Sequence, residues 1–85
     1  MRGEEMFDRK TRLLLILGLL NNAYGDVRSI SLNLKDFIAS HLDMKDEIEE
    51  FKLIELLDRA SELEKEIEEI MMEIKREVEG KGSGS

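Results

Sequence analysis

His41 is the first residue whose type could do chemistry, because imidazole both binds metals and titrates near neutrality, and the chain has no other histidine. Asp43 and Asp46 follow it closely, so their carboxylates could complete a weak metal site. The spacing His41-x-Asp43 matches no recognised zinc signature, however, and the chain has no cysteine. We therefore expect His41 to be an ordinary residue beside a helix end, and we predict neither a metal nor a cofactor.

A second set of candidate groups is a stripe of glutamates at helical spacing, formed by Glu62, Glu66, Glu69 and Glu73. Paired carboxylates act as general acid and base only in a cleft that shifts their pKa values. Di-metal helical bundles also require Glu-x-x-His pairs, and no histidine follows residue 41. Nucleophile and phosphate-loop motifs are missing as well. The sequence therefore predicts a non-enzymatic protein with these glutamates on a solvated helix face.

The net charge of −7 belongs to the C-terminal part of the chain. Residues 1–43 carry six acidic and six basic side chains and sum to zero, whereas residues 44–79 carry fourteen acidic and six basic ones. Affinity for nucleic acid comes from clustered Lys and Arg that displace counterions, and an acidic face repels phosphate. We therefore predict that the protein does not bind nucleic acid.

Membrane and secretion segments are also not expected. No run approaches the ~18 apolar residues of a membrane span. The basic residues around Arg9 precede an apolar run, which is the order found in a secretion signal. Acidic residues precede both, however, and residues 21–24 offer no small-residue cleavage site. The sequence therefore predicts a cytoplasmic protein without a membrane partner.

Three helices are predicted to position these residues. The first spans residues 4–24, since its first turn is acidic, which suits the helix dipole, and Gly25 follows as the left-handed residue that ends many helices. Residues 13–20 carry no polar side chain, so we expect them to be covered on most sides. Gly18 costs about 1 kcal/mol in a helix interior, and we expect it to mark the close approach of another helix.

The second helix is predicted over residues 32–42, with Ser29 or Ser31 as its N-cap. The alternation of Ile30 and Leu32 with polar residues is also typical of a strand, which leaves residues 27–34 open between strand, loop and helix. A lone strand would have no partner, and this favours the helix.

The third helix is predicted over residues 44–79, because Asp43 can cap it and no breaker interrupts it. Such a helix would be ~54 Å long. In its second half the apolar residues advance by alternating steps of three and four, which is the seam of a coiled coil. The predicted interaction surface consists of Leu53, Leu56, Ala60, Leu63, Ile67, Ile70, Met71 and Ile74.

These elements predict an all-α fold, a three-helix bundle with a long C-terminal coiled-coil helix, in a single domain of residues 1–79. Residues 80–85 are rich in Gly and Ser and read as a flexible tail of the kind added as a linker. A compact domain of this size has a radius of gyration near 12 Å, so the third helix is too long to be wrapped by its own chain. The uncovered apolar seam predicts self-association, with a homodimer as the first expectation.

The function predicted from these features is that of a helical protein–protein interaction or self-assembly module. The composition, rich in Glu, Leu and Ile, fits a thermostable protein or an engineered binder or scaffold. An alternative is an acidic regulator that blocks a basic, nucleic-acid-binding partner. A distant third is a DNA-binding regulator, since residues 34–42, a turn at Asp43 and the next helix resemble a helix-turn-helix. Glu47, Glu49 and Glu50 argue against it, because they lie where a recognition helix would contact DNA.

Overall fold

The structure, a computed structural model, describes residues 8–80 and is almost entirely helical in this range. Its elements are α1 (Arg9–Ser40), a 3₁₀ turn (Leu42–Met44), α2 (Lys45–Glu50), α3 (Leu53–Lys75) and a π-helical turn (Arg76–Gly80). No strand occurs among the described residues, so the predicted all-α class and the number of α-helices are confirmed, although their boundaries differ. Predictions for residues 1–7 and 81–85 lie outside the described range.

Helix α1 is one continuous helix of 32 residues where the sequence predicted two. It begins after Asp8, whose side chain accepts a hydrogen bond from the Thr11 amide at 2.9 Å. The prediction that Gly25 ends the helix is wrong, because a C′ glycine needs a positive φ and no described glycine has one. Ser31, predicted as a possible N-cap, is a buried residue in the middle of α1.

The predicted third helix is interrupted at Phe51 and Lys52, so the expectation of one helix over residues 44–79 is wrong. Lys52 adopts a left-handed conformation with φ 53° and ψ 45°, and α3 begins directly after it. Because of this bend, Ile48 of the short helix α2 is only 3% exposed and lies at the end of the molecule where the chain turns back from α1 to α3. Asp43 lies in the 3₁₀ turn instead of capping a helix.

Helices α1 and α3 form an antiparallel hairpin. At its open end Arg9 contacts Glu77, and further along it Arg28 contacts Glu64. The molecule measures 56 × 31 × 15 Å, and its radius of gyration of 18.5 Å exceeds the ~12 Å of a compact domain of this length. Because a helix with its side chains is about 10–12 Å across, the hairpin is a single layer of helices.

The two long helices meet along an inner seam that we define by burial. Its members advance by alternating steps of four and three, and every one is buried or half-buried. On α1 they are Leu13, Leu17, Leu20, Tyr24, Val27, Ser31, Leu34 and Ile38. On α3 and the π-helical turn that follows it they are Leu53, Leu57, Ala60, Glu64, Ile67, Met71, Ile74 and Val78.

The buried core is small. Among the described residues, Ile48, Ala60 and Ile67 are the only buried apolar side chains. The expectation that residues 13–20 are covered on most sides is wrong, since Leu15 and Leu19 are largely exposed. Gly18 does not mark a close helix approach either, because a Cβ added there would meet no atom within 4 Å. A single layer of helices leaves much of its apolar surface uncovered.

Candidate interaction surface

The predicted interaction surface on α3 is divided by the structure between two sides of the helix. Leu56, Leu63 and Ile70 are exposed on the outside of the hairpin. The other five turn toward α1 and belong to the inner seam: Leu53, Ala60, Ile67, Met71 and Ile74. The prediction of one continuous contact surface is therefore corrected, because most of it packs within the chain.

The exposed part of this set is half of a larger surface, which we call the apolar face. Each of its two rows repeats every seven residues. The row on α1 consists of Ile16, Ala23, Ile30 and Phe37, and the row on α3 consists of Leu56, Leu63 and Ile70. The six large side chains are each between 37% and 51% exposed.

Both rows lie on the same side of the hairpin, as the contact between Arg9 and Glu77 demonstrates. Arg9 lies seven residues before Ile16, and Glu77 lies seven residues after Ile70, so each residue continues one of the rows. Arg9 Nε donates a hydrogen bond to Glu77 Oε2 at 2.6 Å. The apolar face is therefore continuous across both helices, and an ion pair closes it at the open end of the hairpin.

The opposite side of the hairpin, which we call the polar side, carries the polar contacts between the two helices, although Leu32 is also exposed there. Glu64, on the inner seam, accepts hydrogen bonds from two residues of α1, namely from Ser31 Oγ at 3.1 Å and from Arg28 Nη1 at 3.2 Å. Ser31 Oγ also lies 3.1 Å from the carbonyl oxygen of Arg28. An open cleft around these residues is lined mainly by charged and polar side chains. This network fixes the register of the two helices, because a shifted pairing would leave a partly buried carboxylate without its donors.

His41 directly follows α1, as the sequence predicted for a residue beside a helix end. Its Nδ1 lies 3.0 Å from the carbonyl oxygen of Phe37, and its ring stacks on the ring of Phe37 with a centroid distance of 4.3 Å. Within residues 8–80 no group of three or more His, Cys, Asp or Glu side chains is arranged to hold a metal ion. His41 therefore acts here as a helix-end residue that covers an aromatic ring.

The glutamate stripe of α3 is exposed along its length. Glu62, Glu66, Glu69 and Glu73 all lie away from the inner seam, and the described cleft does not include them. No helix of the described part of the chain is both long and apolar enough to cross a bilayer. The site features of the described region are thus an apolar face, a polar side and an acidic outer stripe.

Sequence reasoning missed the α1 half of the apolar face. The signal was present, since Ile16, Ala23, Ile30 and Phe37 repeat every seven residues. The predicted end of the first helix at Gly25 and the predicted start of the second at residue 32 divide this row. On α3 the polar residue Glu64 occupies an inner position, so periodicity favours the more apolar row through Leu63 as the seam.

One relative covers nearly the whole of this chain. A protein of Archaeoglobus fulgidus, described as an uncharacterized protein, is 45% identical over 74 residues, which are 87% of this chain and 97% of the relative. No family model matches the chain. No solved structure matches it.

Proposed function

We propose that this chain, which belongs to the same family as the uncharacterized Archaeoglobus fulgidus protein, is a non-enzymatic helical module that associates with a second copy of itself through the apolar face. The observation that carries the proposal is the pair of half-exposed apolar rows on one side of a hairpin that is one helix thick. The assembly would be a four-helix bundle in which each hairpin supplies one layer.

The thickness of the hairpin supports a second layer. Protein domains are built from two or three layers of secondary structure, because one apolar face must be buried against another. This hairpin is 15 Å across in its thinnest direction, and only three apolar side chains are buried in the described region. A second hairpin on the apolar face would turn the half-exposed rows into the centre of a core.

The size of the apolar face also suits a dimer. Its six large side chains leave roughly 500 Å² of apolar surface per chain, so two faces in contact would bury about 1,000 Å², near the lower bound for a biological interface. The largest apolar patch on a monomeric protein is typically about 300–600 Å² and is often functional. The seven-residue repeat on both helices would allow the coiled-coil type of packing, in which side chains of one helix enter holes on the next.

The experiment measures association of face variants by sedimentation equilibrium. Ile30→Ala and Leu63→Ala each remove a large side chain from the middle of a row. We expect each to weaken the dimer at least tenfold, which corresponds to about 1.4 kcal/mol. The matched control is Leu32→Ala, because Leu32 is 44% exposed but lines the polar cleft on the opposite side.

Equal weakening by Leu32→Ala and by Leu63→Ala would contradict the proposal, since loss of stability and not loss of contact would then explain both. A wild-type chain that remains monomeric at every concentration would also overturn it. In that case the apolar face would belong to a different protein, and the interaction module would work by hetero-association.

The acidic stripe of α3 supports a second candidate function, a regulator that blocks a basic, nucleic-acid-binding partner. This candidate function rests on a stripe of exposed glutamates on a helix whose described residues carry eight acidic and three basic side chains. The stripe consists of Glu62, Glu66, Glu69 and Glu73. Binding of a basic partner through this stripe would weaken steeply as salt is raised, because exposed charges are screened. Association through the apolar face would change little in the same titration.

A further inference from the structure

We infer that the second copy is related by a two-fold axis that crosses both helices at Ile30 and Leu63, so that α1 packs on the partner's α1 and α3 on the partner's α3. This inference rests on the proposed self-association. Two arrangements can stack one hairpin on another with all neighbouring helices antiparallel. In the second arrangement the axis runs along the helices, and α1 packs on the partner's α3.

Ile30 and Leu63 lie at nearly the same level along the hairpin. The register is fixed next to them, because Ser31 and Arg28 of α1 both contact Glu64 of α3. Ile30 and Leu63 are 51% and 47% exposed; Leu63 is the middle residue of its row, and Ile30 is the third of the four residues of its row. One axis drawn across the hairpin can therefore pass through both Ile30 and Leu63, and it leaves Ile16 at the open end without a counterpart in the partner's row.

The sizes of the side chains fit an axis at this place. On α1 the row has Ala23 seven residues before Ile30 and Phe37 seven residues after it. A two-fold axis at Ile30 places the small Ala23 opposite the large side chain of the partner's Phe37, and this happens twice. The alternative pairs Phe37 with the partner's Leu56 and Ala23 with the partner's Ile70, so that one layer holds two Phe and two Leu side chains and another holds two Ala and two Ile side chains. Cores lose stability when they are overpacked or when they contain voids.

The charges that flank the rows favour the same axis. Arg59 and Glu66 lie on one flank of α3, four residues before and three residues after Leu63, and both are exposed. The proposed axis brings Arg59 close to the partner's Glu66 twice, once on each side of the axis. In the alternative arrangement, where α1 packs on the partner's α3, Asp26 would lie level with the partner's Glu66. Two negative charges would then repel each other.

The net charges of the helices favour the alternative arrangement. Helix α1 carries five basic and two acidic side chains, whereas α3 carries three basic and eight acidic ones. Most of these charged side chains are exposed and lie away from the inner seam. At physiological salt, charges more than about 8 Å apart in solvent are largely screened. Contacts at the flanks and the fit of the side chains therefore determine the pairing.

Single-cysteine variants test the axis directly, because the chain contains no cysteine of its own. Ile30→Cys and Leu63→Cys are each oxidised alone, at a concentration where light scattering gives the mass of a dimer. A residue on the axis lies opposite its own copy, within the Cα separation of about 4.4–6.8 Å that a disulfide requires. Leu32→Cys is the matched control, since Leu32 is equally accessible but lies outside the apolar face.

We expect Ile30→Cys and Leu63→Cys each to form disulfide-linked dimers at least tenfold faster than Leu32→Cys. If neither variant forms a disulfide with its own copy but the two variants link efficiently when they are mixed, the proposed axis is wrong. The alternative pairing of α1 with the partner's α3 would then be established. A monomeric mass before oxidation would instead overturn the proposed self-association. The two failures are therefore distinguishable.

Discussion

Arg9 and Glu77 are 68 residues apart in the chain, yet Arg9 Nε donates to Glu77 Oε2 at 2.6 Å across the open end of the hairpin. The carboxylate of Glu77 raises the pKa of the Arg9 guanidinium through this hydrogen bond and through its charge. An exposed pair of this kind stabilises a fold only slightly. Its significance is geometric, because each partner extends one of the two apolar rows and both rows must therefore face the same side.

Ile67→Glu tests the inner seam. Ile67 is 8% exposed and packs between the helices, so we expect the substitution to bury a charge without a partner and to lower the free energy of unfolding by about 3 kcal/mol or more. The loss would be measured by urea unfolding followed by circular dichroism. Glu69→Gln, on the outer stripe, serves as the control and should change stability by less than about 0.5 kcal/mol. A stable, helical Ile67→Glu monomer would show that Ile67 lies outside the core of the hairpin.

Ser31→Ala tests the polar layer that Ser31 and Glu64 form. We expect a loss of about 1 kcal/mol, because the variant removes one donor from a carboxylate that is mostly buried. Ser29→Ala is the matched control, since Ser29 is exposed on the same helix. A double variant, Ser31→Leu with Glu64→Leu, should be as stable as the wild type or more stable, because well-packed apolar residues often replace buried polar pairs without loss. Equal stability of the wild type and Ser31→Ala would mean that the layer contributes nothing.

The sequence predicted the class of the fold but not where its helices end. Periodicity predicts an all-α chain, but Asp8, which falls inside the helix predicted over residues 4–24, is the N-cap that precedes α1. Gly25 was misassigned because a glycine is compatible both with a helix end and with a helix interior, and only the backbone conformation distinguishes them. The turn at Lys52 had no local signal at all, since lysine rarely adopts φ > 0.

The candidate surface was predictable only in part for a similar reason. Leu63 and Ile67 both continue heptad rows in the sequence, and periodicity alone does not say which row faces the chain's own first helix. The choice depends on the position of α1, and thus on contacts such as that between Ser31 and Glu64, which are remote in sequence.

Gly18→Ala and Gly25→Ala should each stabilise the protein. Both glycines are exposed within α1, neither has a positive φ, and a Cβ added at either position would meet no atom within 4 Å. Alanine is favoured over glycine in a helix interior by up to about 1 kcal/mol. Thermal unfolding of each variant measures the gain. A lower melting temperature for Gly18→Ala would show that another chain approaches the helix there.

Lys52→Gly should also raise stability, by up to about 1 kcal/mol, because glycine adopts the left-handed conformation without the steric penalty that lysine bears. Lys52→Val should lower it, since a β-branched side chain strongly disfavours φ > 0. Chemical denaturation of both variants gives the comparison. If valine were tolerated as well as glycine, the turn between α2 and α3 would not require this conformation.

The start of α1 should depend on pH through Asp8. The hydrogen bond from the Thr11 amide lowers the pKa of the Asp8 carboxyl below its ordinary value of 3.8. Since the folded pKa is the lower one, the stabilisation is complete above the unfolded value and is lost as the pH falls through the folded value. An NMR titration of the Asp8 carboxyl and the Thr11 amide should therefore give a midpoint below 3.8.

Asp8→Asn is the matched control for this titration, because asparagine also caps helices but does not titrate. We expect the first turn of this variant to fray no further as acid is added. A midpoint for Asp8 at or above its ordinary value in the wild type would show that the carboxylate does not cap the helix in solution.

The most direct test of the central claim is the mass of the wild-type chain in solution, measured by light scattering over a hundredfold range of concentration. The account predicts a mass near twice the 9.8 kDa of one chain across the upper part of that range, because two apolar faces cover each other. A mass of one chain throughout the range would contradict it.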